Sequence, residues 1–135
     1  MAVVVDTGIL YALADADDAW HERARAWVHQ TTELLIVPVT VLPEVTYLLH
    51  TRLGPSAEIA FTESVAAGEL DVEDVRRQDI VRCCELMRRY SDAGFVDASV
   101  IAIAERLKIH QIATTDRRHF LRIKARHGGP LALLP

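Results

Sequence analysis

Val3-Val4-Val5-Asp6-Thr7-Gly8 is a β-branched apolar run closed by an acid and a small turn residue. A run this short and this apolar reads as a strand buried on both faces. The carboxylate then marks where the chain leaves the sheet. The pattern returns twice. Leu34-Leu35-Ile36-Val37 precedes Thr40 and Glu44, and Gln111-Ile112-Ala113-Thr114-Thr115 ends in Asp116. A fourth acid, Asp97, opens the apolar stretch from Ala98 to Ala104 and is the sole charge between Ala93 and Ala104. A carboxylate beside a core is costly unless a cation or a proton offsets it.

Helical patterns fill the intervals. Ile9 to Leu13 predicts a helical turn, and Asp15 to Asp18 offer N-caps for a helix to about Gln30. On that helix Trp20, Ala24, Trp27 and Val28 share one face, with His21, Glu22, Arg25 and His29 facing out. Thr40 is placed to cap a helix to about Leu53, with Pro43 in its first turn, where a missing N–H is tolerated. Gly54-Pro55 breaks it, and Ser56 is placed to cap a further helix ending near Gly68. Leu70 to Val72 is a short strand candidate. Ile80, Cys83, Cys84 and Met87 recur at i, i+3, i+4 and i+7, so Asp79 to Tyr90 predicts an amphipathic helix with a Glu85–Arg89 pair outside. After a loop at Ser91 to Gly94, Val96 to Leu107 predicts a buried helix. Ile109 to Thr114 predicts a strand, Arg117 to Leu121 a short helix, and Leu131 to Leu134 a last edge strand. Strands separated by helices imply one α/β domain over residues 1–135, with a central parallel sheet flanked by helices on both faces.

Composition agrees with a globular domain. The chain has 135 residues, half of them apolar and a quarter charged, which is enough for one sizeable core. No apolar stretch approaches the roughly 18 residues of a membrane span. Asp6 interrupts the N-terminal run too early for a signal peptide. Cys83 and Cys84 are adjacent, a spacing that rarely gives a relaxed disulfide, so a reducing cytoplasm and a core-packing role are expected. Net charge is −4, yet it is unevenly spread. From Arg106 onward seven Arg and Lys residues face one acid, while the first 20 residues hold four aspartates and no Lys or Arg. An acidic site beside a basic rim suits a polyanion. A merely solvated basic surface is the plain alternative.

In a parallel sheet the C-terminal strand ends share one edge, and ligands bind there. Asp6 and Asp116 fall at that edge, and Glu44 and Asp97 lie in helical turns that start from it. Four such carboxylates supply hard oxygen donors for Mg²⁺ or Mn²⁺, whereas Zn²⁺ prefers His and Cys. The six histidines show no HExxH-like spacing. Thr7, Thr40 and Thr115 flank the acids and can hydrogen-bond a carboxylate or a water. Each acid also has a purely structural role open to it. Asp97 can cap its helix, Asp6 can start a turn with Gly8, and Asp116 with Arg117 can form a turn and cap. Glu44 can simply complement a helix dipole.

Val4-Val5-Asp6-Thr7-Gly8, Thr40-Val41-Leu42-Pro43-Glu44, Phe95-Val96-Asp97-Ala98-Ser99 and Ala113-Thr114-Thr115-Asp116-Arg117-Arg118-His119-Phe120 together resemble the PIN-domain ribonucleases, and most of all the VapC toxins of prokaryotic toxin–antitoxin pairs. The resemblance covers nearly the whole chain, in order, and its last motif is the most specific. It implies a Mg²⁺-dependent (or Mn²⁺-dependent) endoribonuclease with Asp6, Glu44, Asp97 and Asp116 as its catalytic acids. Asp6, Asp97 and Asp116 would be the metal ligands, and Thr115 the hydroxyl residue that often precedes the last acid. It further implies an RNA substrate, a cognate VapB-type antitoxin whose tail covers the groove, a homodimer and no membrane association. Gly8 stands where the family commonly has a serine. Arg117 and Arg118, directly after Asp116, are the expected RNA contacts, with Arg122, Lys124 and Arg126 extending the rim.

Two other readings share the pattern. A phosphoryl-transfer domain with an aspartyl nucleophile also has an Asp after the first strand. Its phosphatase form needs a second Asp where Gly8 stands, and its receiver form needs a further acid near the end of the first strand, where Val3-Val4-Val5 has none. The remaining reading is a PIN-like interaction module without catalysis.

Overall fold

The central strand is β1 (Ala2–Val5), as its apolar run requires. Its side chains alternate between the two faces of the sheet, yet Val3, Val4 and Val5 are all at most 1% exposed. Both faces are therefore covered. The computed structural model describes residues 1–129 and 131–135. In it β1 pairs with β2 (Leu34–Pro38) on one side and β4 (Gln111–Ala113) on the other. β3 (Asp71–Glu73) and β5 (Ala132–Leu134) form the edges. The order is β3-β2-β1-β4-β5 and every pairing is parallel.

Helices α1 (Thr7–Ala14), α2 (His21–Gln30), α3 (Val41–Leu53) and α4 (Pro55–Ala66) lie in the first half. α5 (Arg77–Arg89), α6 (Phe95–Leu107) and α7 (Arg117–Arg122) lie in the second. α6 is the buried helix that its apolar sequence predicts: seven consecutive residues, Ala98 to Ala104, are buried. Among the described residues no helix is long and apolar enough to cross a membrane.

Several local expectations shift. The first helical turn is a full helix, α1. Asp15 and Asp18 do not cap α2, which starts at His21. They accept hydrogen bonds from the Tyr11 hydroxyl (2.6 Å) and the Trp20 N–H (2.8 Å), shaping the turn ahead of it. His21 turns inward, its Nδ1 2.7 Å from the Ala12 carbonyl. α4 is capped by Gly54 rather than Ser56, because Pro55 fits the first helical position and Gly54 takes the positive φ of 100° at the break.

The buried face of α5 is rotated from the expected one. Asp79, Cys83 and Leu86 are buried, whereas Ile80, Cys84 and Met87 are exposed. The cause is Arg106 on α6. Its guanidinium donates to both Asp79 oxygens (3.0 and 3.1 Å), to Glu73 (3.0 Å) and to the Asp74 carbonyl (3.1 Å). Asp79 also accepts from the Arg76 N–H at 2.9 Å, which fixes the start of α5. Beside it Arg82 grips Glu105 through two hydrogen bonds of 2.8 and 3.0 Å. Glu85 pairs with Arg82 and Arg126 instead of Arg89.

Asp79 is 2% exposed, so removing its partner leaves a buried charge. Arg106→Met is expected to lower unfolding stability by about 3 to 5 kcal/mol, and adding Asp79→Leu to recover part of it. Urea denaturation of the three proteins measures this. Equal midpoints would show that the pair does not hold α5 to α6.

Candidate functional site

The chain order reverses at β1: β2 follows on one side and β4 on the other. The crevice at the C-terminal ends of β1 and β4 is the ligand position of such sheets. Asp6 follows β1 directly, and its N–H bonds to the Ala113 carbonyl at 2.9 Å, extending the pairing by one step. Thr114, Thr115 and Asp116 follow β4 at the same level.

Thr114 is the residue that joins them. Its buried hydroxyl donates to Asp6 Oδ2 (3.0 Å) and accepts from the Asp116 N–H (2.9 Å). Asp6 Oδ1 accepts from the Thr7 N–H at 2.8 Å. Both oxygens of Asp6 are thus held, while the carboxylate is 5% exposed. Burial, then the charge of Asp97, push the Asp6 carboxyl up to about 7, even though the Thr7 and Thr114 hydrogen bonds pull the other way. Asp97 lies in the first turn of α6, three residues past the Gly94 cap, so it is not the cap itself. Burial and then Asp116 raise its carboxyl above the usual range, with His119 opposing.

Asp116 caps α7, accepting from the His119 N–H at 3.3 Å, and its other oxygen lies 2.6 Å from His119 Nδ1. The structural role open to Asp116 is therefore filled as well. Donor atoms of Asp97, Asp116 and His119 all lie within 4.8 Å of one another. Glu44 sits in the first turn of α3 and is exposed. Its charge still reaches Asp6 and Asp97, raising both. The four predicted acids thus occupy one end of the sheet at three depths: Asp6 buried, Asp97 and Asp116 half-buried, Glu44 outermost.

The hydroxyls differ from expectation. Thr40 takes the N-cap position of α3 as expected, but its hydroxyl makes no capping bond; its Oγ1 lies 2.6 Å from Ser99 Oγ, and Ser99 donates to the Val96 carbonyl at 2.6 Å. That link ties the start of α3 to the first turn of α6, setting Glu44 against Asp97. Thr7 Oγ1 is buried without a hydrogen-bond partner among the described residues. Thr115 packs against Gly8: a Cβ on Gly8 would lie 2.1 Å from Thr115 Oγ1. Thr114, Ser99 and His119 were given no site role from sequence, although the Thr-Thr-Asp and Asp-Arg-Arg-His spacings contain the signal.

Part of the basic rim is paired. Arg122 pairs with Asp92 and Arg126 with Glu85. Arg117 donates to the Pro135 carbonyl and lies 5.7 Å from the Trp20 ring centroid. Arg118 and Lys124 are exposed and without an acid partner among the described residues. The expected rim is reduced because acids from α5 and the following loop lie within reach of these arginines.

A parallel sheet of this order with convergent acids at its β1/β4 crevice defines a class, and the sequence matches it. Residues 3–126 match the PIN domain family model, and the chain belongs to that family. It is 29% identical over 135 residues to Ribonuclease VapC26 of Mycobacterium tuberculosis (strain ATCC 25618 / H37Rv), covering 98% of this chain and 100% of the relative. Among solved structures it is similar to Mycobacterium tuberculosis VapC20, described as a Sarcin-Ricin loop cleaving toxin. That likeness has a TM-score of 0.82 and 26% identity, covering 87% of this chain and 92% of that one. The fold is also that of DNA-bound VapBC from Salmonella typhimurium, with a TM-score of 0.71 at 18% identity over 98% and 96% of the two chains.

Asp6 gives a pH signature. The unfolded chain releases this proton near pH 3.8 and the folded chain near 7. Between these values the folded protein holds more protons, so metal-free stability falls as pH rises through the window and levels off above it. Asp97 adds to the same trend. Asp6→Asn is expected to raise the metal-free Tm at pH 8, by the equivalent of a few kcal/mol, and to change it little at pH 4. A difference between the two proteins that is constant with pH would contradict the assignment.

Proposed function

We propose that this chain is a metal-dependent endoribonuclease of VapC type, the toxic member of a toxin–antitoxin pair acting in the cytoplasm. The observation that carries the reading is the Asp6–Thr114–Asp116 chain with Asp97 opposite. These carboxylates are crowded enough that burial and mutual repulsion hold Asp6 and Asp97 partly against ionisation. Such a donor set fits a hard divalent cation, Mg²⁺ or Mn²⁺. Asp97 and Asp116 would hold it directly and Asp6 from behind, with Glu44 at the outer edge. When bound, the ion acidifies water and neutralises charge developing on the leaving oxygen of a phosphodiester.

The residues themselves divide the remaining work. Thr114 fixes the Asp6 carboxylate and the backbone of Asp116, while His119 holds the Asp116 carboxylate. The exposed Glu44 can accept a proton from an attacking water. The exposed Arg118 is free to meet an RNA phosphate. An apolar groove of about 510 Å³ between α1, α2 and α4, walled by Leu10, Leu13, Trp27, Phe61 and Leu70, suits the apolar face of an antitoxin helix. The same reading includes a homodimer, for which exposed apolar side chains such as Ile80 and Val81 on α5 offer surface.

Asp97→Asn and Asp116→Ala are expected to abolish RNA cleavage with the fold retained. Glu44→Gln should slow cleavage while leaving metal affinity nearly unchanged. At free Mg²⁺ or Mn²⁺ about 100-fold above Kd, the wild type should gain roughly 2.7 kcal/mol of stability, and Asp97→Asn should lose most of that gain. Thermal melts beside a gel cleavage assay decide it. Full activity in the presence of a chelator would rule out the reading.

RNA affinity should fall with salt. Arg118→Gln is expected to flatten the log–log slope by about 0.7, the value for one contact on a single strand. Arg117→Gln should change it less, because that guanidinium is held by Pro135 and Trp20. Fluorescence anisotropy across a salt series tests the pair. Equal slopes in the wild type and Arg118→Gln would remove Arg118 from the RNA contact.

A further inference from the structure

His119 lies within the acid cluster rather than beside it. It is on α7, three residues after Asp116, and the fully buried Phe120 next to it pins that helix to the core. Its Nδ1 is 2.6 Å from Asp116 Oδ2 and 3.8 Å from Asp97 Oδ2. Donors bound at about 2.1 Å to one ion sit about 3 Å apart at right angles and about 4.2 Å apart when opposite. The ring nitrogen stands 2.6 and 3.8 Å from the two carboxylates and all three donors fall within 4.8 Å of one another, so small side-chain rotations bring them around one ion.

A separate feature points the same way. The far nitrogen of the ring, Nε2, is 3.8 Å from Asp92 Oδ2. Metal-binding imidazoles are commonly oriented by a carboxylate at their other nitrogen, which turns the free lone pair toward the ion. Asp92 lies in the loop before α6 and is itself held by Arg122. At 3.8 Å the contact is electrostatic rather than a hydrogen bond; the Nε2 edge lies toward Asp92 and Nδ1 faces Asp97 and Asp116.

We propose that His119 ligates the divalent ion through Nδ1 together with Asp97 and Asp116, so that the site selects Mn²⁺ over Mg²⁺. This rests on the metal-nuclease reading and adds to it a nitrogen donor and an ion preference. Mg²⁺ favours an all-oxygen shell, while imidazole suits the transition ions. The competing role is orientation alone, with Nδ1–H donating to Asp116.

The experiment separates these roles with the metal as the only probe. Metal-free wild type, His119→Asn and His119→Gln are titrated with Mn²⁺ and with Mg²⁺ by calorimetry, with circular dichroism as the check on folding. Pulsed electron paramagnetic resonance is then recorded on each Mn²⁺ form. Asn can replace an orienting N–H near Nδ1, but it supplies no imidazole nitrogen. The expected result is ¹⁴N coupling to Mn²⁺ in the wild type only. Mn²⁺ affinity should fall at least about tenfold in both variants, and Mg²⁺ affinity less than about threefold. Tight Mn²⁺ binding without ¹⁴N coupling would overturn the proposal, as would an unchanged Mn²⁺/Mg²⁺ ratio in His119→Asn. Either result leaves the nuclease reading in place if metal-dependent cleavage persists. Failure of the wild type to bind either ion would overturn both.

Discussion

The Thr114 hydroxyl is the contact on which the site depends. It donates to one aspartate and accepts from the backbone of another, and so locks the ends of two neighbouring strands together. A hydroxyl can do both at once because it carries a donor and acceptors on one atom. The arrangement matters because Asp6 is buried and an unpaired buried carboxylate would be expensive. Two hydrogen bonds reduce that cost without cancelling it, which is why the Asp6 carboxyl stays well above its ordinary range. The fold therefore stores a demand for positive charge at one edge, the demand that a divalent ion would meet. Nearby contacts serve the same geometry. The Thr40–Ser99 link joins the starts of α3 and α6, and Phe120 anchors α7 under Asp116 and His119.

Much of this was legible in the sequence, for a physical reason. Strands buried on both faces must be short and apolar, so Val3 to Val5 and Gln111 to Ala113 stood out, and an acid just beyond such a strand has few explanations. The parallel sheet and the common edge followed. Tertiary choices were less legible. Periodicity alone put Ile80 and Met87 inward on α5. It could not foresee that Arg106, from a helix far along the chain, would draw Asp79 into the core and turn the helix. Likewise the aspartates before α2 have the chemistry of caps, but Tyr11 and the Trp20 N–H engage two of them first. His119 shows the limit on the site itself. A histidine three residues after an acid is ordinary in sequence, and its place among three aspartates depends on α7 and the start of α6 meeting at the same sheet edge.

The second half of the molecule shows how charge is allocated. Arg82, Arg106, Arg122 and Arg126 are consumed in ion pairs with acids of α5, α6 and the neighbouring segments. The buried members bind α5, α6 and β3 together, while the exposed ones tie α7 to the loop before α6 and the segment after α7 to α5. A basic count read from sequence overstates what a polyanion meets, because much of that charge is already neutralised by structure. Arg118 escapes this: it is exposed and pairs with none of the acids that claim its neighbours among the described residues.

Gly8, in the first turn of α1, and Thr115, just past β4, fill one shared space. Any side chain at position 8 would start 2.1 Å from the Thr115 hydroxyl, far inside contact distance, so position 8 is not free to vary alone. A serine at position 8 requires residue 115 to shrink or to rotate aside, and a threonine at 115 in this orientation excludes everything but glycine. Across descendants of this chain, a side chain at position 8 should therefore appear only after residue 115 has become smaller or turned aside. The steric fit thus sets an order of change, which makes the pair a historical marker of lineage.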